Sequence, residues 1–81
     1  MRTTVEYYGV LRSIAGCRSE ELTLAEGATV AEVVAAVSAA HPGIAGALRG
    51  VATAVDERLV ARTEPVPPGA VVALLPPVSG G

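Results

Sequence analysis

Thr29-Val30-Ala31-Glu32-Val33-Val34-Ala35-Ala36-Val37 is the stretch that decides the fold. It opens as a capping box: the Thr29 hydroxyl can accept an orphan backbone N–H while the Glu32 carboxylate reaches back to the Thr29 amide. Val30, Val33, Val34 and Val37 then recur at i, i+3, i+4 and i+7, a single apolar stripe. β-Branched residues are mediocre helix formers, and the interleaved alanines compensate. His41-Pro42-Gly43 is the stop, because Pro42 disfavours the α region for His41. The stretch therefore predicts one helix with one buried face.

On either side the period changes to two. Thr3–Tyr8 alternates, with Val5 and Tyr7 to one side, Glu6 and Tyr8 to the other, and Gly9 ending it. Val10–Gly16 reads as a connector with a helical turn holding Leu11 and Ile14. A second strand is expected over about Glu20–Ala25, with Leu22 and Leu24 inward, Glu21 and Thr23 outward, and Glu26-Gly27-Ala28 as the turn. After the helix, Ile44–Gly50 is a short irregular or helical link. Strands follow at about Ala52–Val55 and Leu59–Ala61, joined by Asp56-Glu57-Arg58. Pro65-Val66-Pro67-Pro68-Gly69 makes a rigid turn before a last strand, Ala70–Leu75. No internal repeat or linker interrupts the order, which is that of an α+β domain with one helix on one face of a small sheet.

The last strand is apolar on both sides. Val72 and Leu74 share one face, and Val71, Ala73 and Leu75 share the other. One helix covers one face, so the surplus marks either a buried central strand or a partner surface. In a chain this short the expectation is the partner surface.

Composition narrows the function classes. Eighty-one residues make one small domain, which buries only roughly 60–65 % of its unfolded surface. The hydrophobic share is 51 % with no Phe and no Trp, so an aliphatic core must suffice, with Tyr7 and Tyr8 the only aromatics. The longest apolar run, Ala70–Val78, holds Pro76 and Pro77 and falls short of the about 20 residues of a membrane span. Met1-Arg2-Thr3-Thr4-Val5-Glu6 lacks the apolar core of a signal peptide, so the expected location is cytoplasmic. The net charge is -2, and the six basic residues, all Arg, are scattered at 2, 12, 18, 49, 58 and 62. Nucleic-acid binding needs grouped cations and is not expected. Lysine is absent, so no side chain offers an amine for conjugation.

Several residues carry plain structural readings. Cys17, alone and without a nearby base, is expected to be inert and forms no internal disulfide. His41 suits the negative end of a helix. One His and one Cys make neither a catalytic triad nor a metal site. Glu20-Glu21 reads as a solvated strand edge, and Tyr7 as core.

The chemistry gathers at the end of the chain, Pro76-Pro77-Val78-Ser79-Gly80-Gly81. Each proline lacks a backbone N–H and holds φ near -65°, which makes a stiff spacer whose extended reach is on the order of 20 Å. Gly80 and Gly81, without Cβ, can pass a narrow channel and leave the carboxyl carbon open to attack. A terminal carboxyl with a pKa of about 3.3–3.7 is an anion at neutral pH and a poor electrophile. To accept sulfur it must become an acyl-adenylate, yet the chain has no phosphate loop to hold ATP. Activation must come from another protein.

These residues carry a resemblance. The ending, the strand Val5–Tyr8 with Leu11 and Ile14-Ala15-Gly16, the helix at Thr29, Ala54-Val55-Asp56 with Leu59-Val60, and Pro68-Gly69 together resemble the small sulfur-carrying subunit of molybdopterin synthase. That family lies within the ubiquitin-like β-grasp superfamily. The resemblance implies a small mixed sheet of four to five strands packed on one main helix, a domain over residues 1–75 and an extended tail over 76–81. It also implies a protein that is not catalytic alone and binds no cofactor, ATP being used by an adenylating, E1-like activating enzyme. A persulfide sulfurtransferase then converts the Gly81 adenylate into a thiocarboxylate. Gly80, Ser79, Val78, Pro77 and Pro76 enter the active site of the large subunit, with which the family forms a heterotetramer, and sulfur passes to molybdopterin. Tyr8, Leu59 and Leu75 match the partner-binding surface. Members often carry aromatic residues before the Pro-Pro pair, where this chain has Leu74 and Leu75, so its surface is flatter. Two alternatives stand beside this: a sulfur carrier for thiamin, cysteine or tRNA thiolation, and a protein modifier or binding module.

Overall fold

The structure is a computed structural model and describes residues 1–77. The chain forms β1 (Arg2–Tyr7), α1 (Val10–Ala15), β2 (Ser19–Thr23), α2 (Val30–Ala40) and a 3-10 helix over Pro42–Leu48. The hairpin β3 (Ala52–Val55) and β4 (Arg58–Val60) follows, then β5 (Val71–Leu75). One sheet takes all five strands in the order β2-β1-β5-β3-β4. β1 is antiparallel to β2 and parallel to β5, with Val5 opposite Glu20 on one side and Val72 on the other. β5 is antiparallel to β3, and β3 to β4. This mixed sheet with α2 across one face is the ubiquitin-like β-grasp fold.

The capping box forms as its spacing requires: the Glu32 amide donates to Thr29 Oγ1 at 3.4 Å and the Thr29 amide to Glu32 Oε1 at 3.3 Å. The next two orphan amides, Val30 and Ala31, donate to the carbonyls of Glu64 and Arg62, both at 2.9 Å. The helix start is thus stitched to the β4–β5 connection, which satisfies donors that an isolated helix would leave to water. Pro42 then turns the chain into the 3-10 helix, which buries Ile44 and Leu48.

All four valines of the stripe are buried, against Val5 and Tyr7 of β1, Val72 and Leu74 of β5, and Leu11 of α1. Burying one such aliphatic side chain fully contributes about 1.5–3 kcal/mol, and repetition of that small contribution replaces the absent Phe and Trp. The segment Val10–Gly16, read as a connector with a helical turn, is a six-residue helix that buries Leu11 and leaves Ile14 at the surface. β1 ends at Tyr7 rather than Tyr8, and β2 ends at Thr23 rather than Ala25.

The reading of Glu20-Glu21 as a solvated edge holds for Glu21 and fails for Glu20. Glu21 is exposed and meets Arg2 at 3.5 Å. Glu20 lies opposite Val5 and so on the face that α2 covers. Its Oε1 accepts from the Tyr7 hydroxyl at 2.7 Å and meets His41 Nε2 at 2.8 Å, while Cys17 Sγ donates to Oε2 at 3.7 Å. The Tyr7 ring is buried, and its hydroxyl must find an acceptor. The Tyr7 and His41 rings also meet edge to face at 5.9 Å. Burial alone would raise the Glu20 carboxyl, but hydrogen bonds from Tyr7, His41 and Cys17 outweigh it and hold the carboxyl below its ordinary range. Burial, and next the charge of Glu20, push the Cys17 thiol up, so it stays protonated. That is the chemistry of an inert cysteine.

Candidate functional site

The site is the sheet face that no helix covers. Parity along the strands sends Glu6, Val71, Ala73, Leu75, Ala54 and Leu59 to this side, with Ala73 between Glu6 of β1 and Ala54 of β3, and Leu59 opposite Ala54. Because Ala54 and Ala73 are small, the middle of the face is sunken. The result is a concavity of about 660 Å³ walled by Tyr8, Leu59 and Leu75 and edged by Glu6, Asp56 and Glu57. Leu59 is 71 % exposed. A single exposed leucine is ordinary, but here it continues into Leu75 and Val71, which are half-buried. The three residues expected at a partner surface, Tyr8, Leu59 and Leu75, are brought together.

Tyr8 is held from both sides. Its hydroxyl donates to Glu6 Oε1 at 3.0 Å, and the Arg12 guanidinium lies 5.2 Å from the ring centroid. Arg12 is itself anchored, its Nε donating to the Tyr7 carbonyl at 2.9 Å. The hydrogen bond to Glu6 pushes the Tyr8 phenol above its ordinary value, so it remains a neutral donor at physiological pH. An aromatic wall fixed in advance loses little freedom when a partner covers it.

Leu75 runs straight into Pro76 and Pro77, so the tail leaves from the rim of this face. The tail root is packed. A Cβ built on Gly9 would stand 3.0 Å from Pro76 Cγ, and Gly9 has φ +57°, which side chains rarely adopt. The first proline therefore lies on bare backbone just beyond Tyr8. Val78, Ser79, Gly80 and Gly81, the rest of the expected delivery tail, lie outside the described residues.

Reading the sequence alone missed the acidic edge. Glu6 had been placed on the same side as Tyr8, which was the available signal. Asp56 and Glu57 were read only as a joiner, and nothing local shows that they close back on β5, where the Asp56 amide donates to the Val71 carbonyl at 2.9 Å and Asp56 Oδ1 accepts from the Val71 amide at 3.0 Å. Among the described residues no group of His, Cys, Asp and Glu could hold a metal ion, and no helix is long and apolar enough to cross a membrane.

Comparison with known proteins gives this face and tail a family, for the ThiS family matches residues 5–81. The chain belongs to the ThiS family. The molybdopterin synthase sulfur carrier subunit of Chlamydomonas reinhardtii is 30 % identical to it over 83 residues, covering all of both chains. A putative molybdopterin converting factor subunit 1 from Pyrococcus furiosus superposes with a TM-score of 0.87 at 30 % identity, over 96 % of this chain and 99 % of that one. A chain of the BexX/CysO complex from Amycolatopsis orientalis gives a TM-score of 0.76, also at 30 % identity, over 98 % and 99 %. This ThiS-family chain is thus homologous along its length to a molybdopterin synthase sulfur carrier.

Proposed function

We propose that this protein carries sulfur for molybdopterin synthesis on the carboxyl carbon of Gly81. The observation that carries the reading is positional: the strand whose odd-numbered residues line the uncovered apolar face is the one that becomes the Pro-Pro tail. A partner seated on Tyr8, Leu59 and Leu75 would receive that tail. Homology to a sulfur carrier subunit of molybdopterin synthase supports the same reading, as does likeness to a putative molybdopterin converting factor subunit 1.

The cycle follows from the chemistry of a carboxylate. An activating enzyme lets a Gly81 oxygen attack the α-phosphate of ATP, and pyrophosphate leaves. The terminal sulfur of a donor persulfide then attacks the acyl carbon, and AMP leaves. A thiol then attacks the donor-side sulfur of the resulting acyl disulfide, forming a disulfide with the donor and freeing the thiocarboxylate. Gly80 and Gly81, with no Cβ, leave that carbon open to each attack. The large subunit of the synthase next accepts the tail and takes the sulfur, and the carrier itself catalyses no step. A cytoplasmic location agrees with a supply of ATP and a free thiol at Cys17.

Incubation with ATP, the activating enzyme and a persulfide donor should convert an oxygen at Gly81 to sulfur, read as the mass change of the intact chain. The charged chain should form a complex with the large subunit and release its sulfur there. An unchanged mass in the presence of an active activating enzyme would remove the carrier reading. Thiocarboxylate formation without any large-subunit complex would move the protein to another sulfur pathway.

A further inference from the structure

Asp56 and Glu57 form the two-residue turn between β3 and β4, where Val55 pairs with Arg58. Both have positive φ, 47° and 68°. Hairpin turns of this kind favour Asn-Gly, because side chains are disfavoured in the left-handed region. Asp tolerates it best, and Asp56 is further fixed by its two hydrogen bonds to Val71. Glu57 has no such compensation. Among the described residues its carboxylate makes no hydrogen bond or ion pair, and the residue is exposed at the edge of the concavity. The turn would be more stable with glycine there.

We propose that Glu57 is the charged contact of the docking face, and that the partner seated on Tyr8, Leu59 and Leu75 presents an arginine or lysine opposite the β3–β4 turn. This rests on the reading of that face given above. Among the described residues the charged lining of the concavity is Glu6, Asp56 and Glu57, with no basic residue. Glu6 and Asp56 each give one oxygen to an internal bond, to Tyr8 and to Val71. Glu57 gives none, so its charge is available outward.

The partner's chemistry supplies the complement. Covering this face sets the partner against the charges of Glu6, Asp56 and Glu57, and among the described residues the concavity has no basic side chain to balance them, so a matching surface is cationic at this edge. The turn lies beside Val71, at the opposite end of β5 from the tail root. The five residues between them span on the order of 13 Å. One apolar face with the tail at one end and a charge at the other fixes the partner's direction along the strand. A rim charge of this kind acts mainly on the rate of encounter and on partner choice. A second copy of this chain is the wrong occupant, because the same face would bring further carboxylates and no cation to the concavity.

The test is association with the purified molybdopterin synthase large subunit, followed by stopped flow at low and high salt, beside thermal unfolding of each variant. Glu57→Gln keeps the strained turn and removes the charge. It should slow association by about three- to tenfold at low ionic strength, lose that difference at about 0.5 M salt, and leave Tm unchanged. Glu57→Gly should slow association equally while raising Tm by about 4 °C. Equal association rates for wild type and Glu57→Gln at low salt would overturn the inference and leave the carrier reading intact. So would a Glu57→Gly variant that melts below wild type, or self-association of the free chain through this face. A wild-type chain that does not bind the large subunit at all would remove both.

Discussion

β5 has two apolar faces with opposite fates. Val72 and Leu74 are fully buried beneath α2, whereas Val71, Ala73 and Leu75, their immediate neighbours, are half-exposed on the uncovered side. Hydrophobicity does not distinguish them, and neither does position in the sheet, since β5 is central and paired on both edges. Only parity does. The even residues hold the domain together and the odd ones line the uncovered face, so the consequence of a substitution on this strand should alternate with residue number.

The largest expected effect breaks the covered side. Leu74→Ala should lower stability by about 2–5 kcal/mol through lost burial and an unfilled cavity, measured as the urea midpoint. Leu75→Ala, one residue on, should change it by less than about 1 kcal/mol. Equal losses at the two positions would erase the distinction between the faces.

Next comes the uncovered side. Leu59→Ala should leave the unfolding midpoint where it was and weaken binding of the large subunit roughly tenfold, as calorimetric titration would show. A drop in stability without a drop in affinity would make Leu59 a fold residue after all.

A third test sharpens the covered side at its polar corner. Because the folded-state pKa of Glu20 is depressed, its contribution is present above the ordinary glutamate value of about 4.3 and is lost as pH falls through the lower folded value. Glu20→Gln should be about 1 kcal/mol less stable at neutral pH, and the gap should close as the pH is lowered below about 4. The difference between the two thermal-stability curves is the measurement, since other carboxylates titrate in both proteins. A gap independent of pH would show that the charge of Glu20 does not matter.

The smallest effect has the opposite sign. Thr3 Oγ1 is buried on the covered side and has no hydrogen-bond partner among the described residues. Thr3→Val keeps the shape and removes the unpaired hydroxyl, so stability should rise by about 0.5–1 kcal/mol. A fall would show that the hydroxyl finds a partner in solution.

The elements with strong local signals were legible in the sequence. The Thr29 box with its Val stripe marks α2, alternation marks β1, and the segments read as strands at Ala52–Val55 and Ala70–Leu75 match β3 and β5 to within a residue. The double apolarity of β5 was legible too, although its alternatives proved not to exclude each other: the strand is central, and one face is still uncovered. What escaped was whatever depended on pairing between distant segments. Glu20 looked solvated because its partners His41 and Tyr7 lie 21 and 13 residues away, and only the β1–β2 register turns it toward them. The acidic edge escaped for the same reason, since Asp56 meets Val71 across 15 residues. α1 was legible only as a helical turn in a connector, because six residues without an N-cap hydrogen bond form a helix only when tertiary packing holds Leu11 in the core.

The parallel pairing of β1 with β5 has a mechanical consequence. A protein that grips the tail and is then withdrawn pulls β5 along its own length. The bonds to β1 and β3 on either side resist that load together, in shear, whereas a hairpin at the edge of a sheet would unzip one bond after another. A domain built this way can be drawn by its tail out of a tight grip with its body intact.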